Sequence, residues 1–237
     1  MFSKEHFIWL GLCTIFIVTM SIVSVKKKFS LKTSGYIMTI ICFASEFSKI
    51  MVNMKESSGG GMHLDPLSLP FHLCSLMIFV IVYITFGKDG KVKDVLIDLF
   101  SIAGTLGSFC ALMIPTIGTA FNKIQSYQCF VYHAGLMWFA IYLIATKRAR
   151  LGKVQTLIRN LCLMLCLTIM TLYVNSALSI YDTNFFYLTR PPLENLPILN
   201  LDDGWYAYFF RVVAIALSAI TLLHLPFIIN EKKKTKK

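Results

Sequence analysis

Cys74 and His133 are the residues of this chain whose types best suit covalent chemistry. A cysteine attacks as its thiolate, and a nearby imidazole both removes the proton and stabilises the charge that results. His72 stands two positions before Cys74. From there it could orient the pair or stabilise an oxyanion. On an ideal helix, however, the two side chains diverge by about 200°, and only a distortion such as Pro70 invites would bring both to one pocket. Glu46 and Lys49 are three residues apart, a spacing that lets them neutralise one another on one helix face. Lys49 and Arg211 are cations able to hold a phosphate. Read as metal ligands instead, His72, His133 and Glu46 would make a zinc hydrolase, although their spacing matches no dense motif such as HExxH. A third reading is non-enzymatic, a transporter or lipid-binding protein whose buried ionisable groups form a translocation path. It calls for polar residues that continue to the opposite side, where only Asp98 and His224 stand.

The elements that must position these residues are membrane helices. Of 237 residues, 56% are hydrophobic and 15% charged, too apolar a balance for a water-soluble domain of this size. Seven apolar runs, at about 7–25, 34–53, 67–87, 95–115, 125–146, 161–181 and 204–230, are long enough to cross a bilayer. They predict an all-α, polytopic membrane protein with seven transmembrane helices in a single domain, 1–237. The alternation expected of a membrane barrel is absent. The net charge of +11 lies in short segments between the runs, which excludes a nucleic-acid-binding face as its explanation. Seventeen of the 23 Lys and Arg residues fall on alternate connections: Lys26–Lys32, Lys88–Lys93, Lys147–Arg159 and the C-terminal lysines. Four fall on the opposite side, so the N-terminus is expected outside and the C-terminus in the cytoplasm. In that orientation Glu46, Lys49, His72, Cys74, His133 and Arg211 all lie roughly 6–12 Å from the outer ends of their helices. A polar pocket open to the outer leaflet is the expectation. The seven cysteines are an odd number lying mostly within apolar runs, which is no disulfide framework. Ser57–Gly61 reads as a flexible outer loop.

Three elements carry a resemblance. Leu69-Pro70-Phe71-His72-Leu73-Cys74 resembles the LP-x-HLC element of the YwaF-type bacterial integral membrane proteins, and Tyr132-His133-Ala134-Gly135 resembles their second histidine element. Asn184-Phe185-Phe186-Tyr187-Leu188, followed by Arg190-Pro191-Pro192, is similar to their outer-loop signature; the segment Gly204–Tyr208 departs from it. That family is similar in turn to a eukaryotic seven-helix acyltransferase that remodels ether phospholipids. The resemblance implies a multi-pass protein of the cell membrane and a phospholipid acyltransferase independent of CoA. Cys74 and His133 would be its catalytic pair, assisted by His72, and Glu46, Lys49, Asn184, Tyr187 and Arg211 would contact substrate. Membrane phospholipids are the partners implied, and no cofactor is called for, since the chain carries no nucleotide motif.

Overall fold

The computed structural model describes residues 2–56, 60–193, 196 and 198–235. Ser57, Ser58 and Gly59 of the expected flexible loop lie outside the described residues. Among the described residues there are seven α-helices: α1 (Lys4–Lys26), α2 (Leu31–Asn53), α3 (Leu73–Phe86), α4 (Lys91–Met113), α5 (Ile124–Ala145), α6 (Val154–Ala177) and α7 (Gly204–Thr235). All but α3 are long and apolar enough to cross a membrane. A two-stranded antiparallel hairpin, β1 (Met54–Glu56) with β2 (Met62–Leu64), follows α2. The ammonium of Lys55 lies 2.5 Å from the Asp65 carboxylate at its base. That pair, with the Leu67 amide, holds the Asp65 carboxyl below its ordinary range.

Local chemistry explains where the helices start. Ser3 and Ser30 cap α1 and α2 by accepting from the amides of His6 and Thr33 at 3.2 and 3.0 Å. The third helix begins at Leu73 rather than at Leu67. Asp65 caps a single 3-10 turn at Pro66–Ser68, and Pro70, which has no amide proton to give, interrupts the chain before a helix can propagate. The sixth starts at Val154 rather than Leu161, because the polar residues of its first two turns find partners. Asn160 donates to Nε2 of His224 at 3.2 Å, and His224 Nδ1 donates to the Leu151 carbonyl at 3.0 Å.

The chain divides into two compact units. The first holds Met1–Pro70 and Cys74–Ala149. Its central element is α5, which packs against α1, α2 and α4. Trp9 stacks on Phe130 with ring centroids 4.8 Å apart, in a cluster that includes Cys13, Leu112 and Ala134. Close approach depends on glycine. A Cβ on Gly35 of α2 would stand 2.4 Å from Thr85 Oγ1 of α3, and one on Gly135 of α5 would meet Met38 and Ile41 of α2. The helix ends α1 and α5 meet through the Tyr142 hydroxyl, which donates to the Phe29 carbonyl at 2.9 Å. Both helices finish in the same way. Phe29 N–H bonds Ser24 O and Lys28 N–H bonds Val25 O; Arg148 N–H bonds Leu143 O and Lys147 N–H bonds Ile144 O. These are Schellman motifs, in which the residue after the cap is left-handed and is usually glycine. Here it is Lys28, at φ 50°, and Lys147, at φ 57°.

The second unit holds Phe71–Leu73 and Arg150–Lys237. Its helices α6 and α7 pack together. At about 48 Å, α7 is longer than a hydrocarbon core, so its Lys232–Lys234 end extends past the apolar span.

Candidate active site

Within the first unit, polar side chains converge from three helices. Cys129, Tyr132 and His133 occupy positions i, i+3 and i+4 of α5 and so share one face. The Tyr132 hydroxyl donates to the Cys74 carbonyl at 2.6 Å, tying the first turn of α3 to that face. The Cys42 side chain of α2 lies beside the same hydroxyl. The amide and hydroxyl of Ser75 lie beside the Cys74 sulfur, and the open start of a helix leaves such an amide without an intrahelical acceptor. Nδ1 of His133 lies 2.7 Å from the Cys129 carbonyl. A carbonyl only accepts, so Nδ1 carries the proton, and in the neutral ring Nε2 is left with a basic lone pair. The Cys129 sulfur stands 3.7 Å from the same nitrogen. No hydrogen bond joins Cys74 to His133 among the described residues.

On α2, Lys49 and Glu46 form the expected ion pair at 2.7 Å, and the Lys49 ammonium lies within electrostatic range of Cys74. Gln128 of α5 donates to Ser45 of α2 at 2.6 Å, closing the cluster on its outer side. Together these bonds satisfy groups that hydrocarbon would otherwise leave unpaired.

The other expected site residues belong to the second unit. The His72 ring contacts Phe185 edge-on, with centroids 5.2 Å apart, and Tyr187 at 5.5 Å. Phe186 and Tyr187 are both left-handed, at φ 59° and 54°, a conformation that surrounding bonds must enforce. Asn175 supplies two of these: it accepts from the Phe185 amide at 2.9 Å and donates to the Phe185 carbonyl at 3.0 Å. Tyr208 and Trp205 donate to the carbonyls of Tyr187 and Leu188. The Asn184 carbonyl oxygen is occupied by the amides of Thr189 and Arg190 and the Thr189 hydroxyl. Its role here is to organise the loop. Arg211 donates to Asn200 and Asp203, and Arg190 to Asp182. The phosphate-holding role expected of Arg211 therefore has to compete with a carboxylate already in place. Asn175→Ala should strand both buried backbone groups of Phe185, at about 1–3 kcal/mol. Faster proteolysis of the 182–190 loop, and a lower melting temperature in detergent, would report it.

Sequence reading missed Tyr132 as a partner of Cys74, weighed Cys129 only as a conceivable disulfide partner of Cys110, whereas both are free thiols, and missed Gln128 and Asn175 altogether. The Cys129–His133 spacing of four was the available signal, since a histidine can donate back to the carbonyl one turn earlier. Nothing in the sequence marks Asn175 for its loop. Among the described residues no three His, Cys, Asp or Glu side chains converge as a metal site.

Apolar helices that cross the bilayer repeatedly, with an ionisable cluster held between them, define a multi-pass integral membrane protein. The chain belongs to the TMEM164 family, whose model matches residues 1–224. No curated protein and no solved structure matches it.

Proposed function

We infer that the protein is a phospholipid acyltransferase of the cell membrane that carries the acyl chain on Cys74. The observation that supports this most is the Tyr132–Cys74 bond, which fixes the thiol-bearing turn of α3 against the helix face of His133. In the proposed cycle, Nε2 of His133 takes the thiol proton. The thiolate adds to an ester carbonyl of a phospholipid, with the Ser75 amide near the developing oxyanion. Collapse expels the lipid alkoxide, which receives the proton from the imidazolium, and leaves an acyl-thioester. A second lipid hydroxyl then loses its proton to His133 and attacks the thioester, and the thiol is restored. Lys49, which acts electrostatically on Cys74 while paired with Glu46, is suited to a phosphate head group if that carboxylate yields. Cysteine and histidine need not touch beforehand, because such contacts tighten as substrate binds. The likeness to YwaF-type proteins and to the ether-lipid acyltransferase points the same way.

Intact-mass analysis after incubation with phospholipid tests the reading. The wild type should gain an acyl adduct that hydroxylamine removes, and Cys74→Ala should gain none. An equal adduct on Cys74→Ala, or full acyl transfer by that variant in reconstituted membranes, would overturn it.

A further inference from the structure

The strongest unexplained feature of the first unit is at the end opposite the thiol. Three segments meet there. Tyr142 at the end of α5 bonds Phe29 between α1 and α2, the rings of Tyr36 and Phe86 join the start of α2 to the end of α3, and Lys32 acts on Asp89 between α3 and α4. The surface they form is strongly cationic. Lys26, Lys27, Lys28, Lys88, Lys147 and Arg148 are all exposed, and none has an acidic partner among the described residues. The nearby Asp89 is already taken by Lys93, at 2.8 Å.

Two of these cations are held at a conformational cost. Lys28 and Lys147 occupy the left-handed positions of paired Schellman motifs, at φ 50° and 57°, where glycine would end each helix without strain. Orientation of the chain in the membrane requires positive charge on these connections. It does not require charge at the strained position, since either lysine could stand one residue away. Helix C-termini favour a cation by their dipole, but that preference too is met by neighbours at ordinary φ, Lys26 and Lys27. Two lysines at glycine positions, on helix ends that the Tyr142–Phe29 bond joins, therefore point to a ligand for their ammonium groups. On a surface at the membrane boundary, the complementary ligand is the anionic phosphate of a lipid head group.

We propose that this end of the first unit, which the basic residues assign to the cytoplasm, is a docking surface for anionic phospholipid, with Lys28 and Lys147 as its fixed points. The proposal is independent of the acyl-transfer reading. Native mass spectrometry of the full chain in neutral detergent, titrated with phosphatidylglycerol or phosphatidylcholine, tests it. The wild type should retain phosphatidylglycerol preferentially. Lys28→Gly with Lys147→Gly preserves both helix caps while removing two charges, and each lost cation should weaken phosphatidylglycerol binding roughly five-fold. Lys28→Arg with Lys147→Arg should bind as the wild type does. A second pair, Lys88→Gln with Arg148→Gln, lowers affinity without touching the strained positions. Equal binding of the two lipids by the wild type would overturn the proposal, as would undiminished phosphatidylglycerol binding by the glycine pair or lost binding by the arginine pair.

Discussion

Replacing His133 by Ala is expected to slow acylation of Cys74 by about 10²–10⁴-fold, the usual contribution of a positioned general base. The expectation follows from one hydrogen bond. Because Nδ1 gives its proton to the Cys129 carbonyl, the second nitrogen is the one available to accept. His133→Gln discriminates further. Its amide nitrogen can donate toward the Cys129 carbonyl, but its remaining oxygen is a far weaker base than imidazole, so packing is retained while proton transfer is lost. Single-turnover acylation, followed by adduct mass, should be slow in both variants, while Cys129→Ala, which leaves the carbonyl in place, should be affected much less. Acylation at the wild-type rate in His133→Gln would remove the base from the mechanism.

Gly35→Ala should destabilise the protein, although helix propensity alone predicts the opposite. In a helix interior alanine is favoured over glycine by about 1 kcal/mol. Here the new methyl group would lie 2.4 Å from Thr85 Oγ1, and that oxygen cannot easily retreat because it donates to the Ile81 carbonyl at 2.7 Å. Overpacking costs about 1–3 kcal/mol, so the steric term outweighs the propensity. A melting temperature in detergent several degrees below the wild type is the expected result. Gly11→Ala provides the contrast, since nothing lies within 4 Å of its added Cβ, and it should be neutral or stabilising. If Thr85→Ala restores most of the loss caused by Gly35→Ala, the α2–α3 contact is identified as the cause.

All seven helices were legible in the sequence, because hydrocarbon allows a spanning backbone few alternatives. Boundaries were legible only where apolar runs and helix ends coincide, as at Gly204. They failed at α3, where the run continues through Leu67 and Leu69 while Asp65, Pro66 and Pro70 direct the backbone otherwise. They failed again at α6, where the polar first turns look like a connection until His224 supplies a partner for Asn160. Of the expected site, the Glu46–Lys49 pair could be read from spacing alone. Tyr132 could not, because its acceptor is a backbone carbonyl on a helix distant in the chain, which no periodicity encodes. Asn184 and Arg211 were visible as polar residues, but their loop partners were not.

The late start of α3 has a mechanical consequence. Its 14 residues give a rod of about 21 Å, against a hydrocarbon slab of about 30 Å. If the cytoplasmic end sits at the interface marked by Lys88, Cys74 is submerged by several ångströms on the opposite side. The backbone from Leu69 to His72 must then pass through that depth without helical bonding. The bilayer answers such a deficit by thinning around the short rod, so the host lipids' own chain length sets how far water and ester carbonyls reach toward the sulfur. On the acyl-transfer proposal, turnover in reconstituted membranes would thus vary with bilayer thickness, and short-chain lipids would favour it, with no change in any residue of the site.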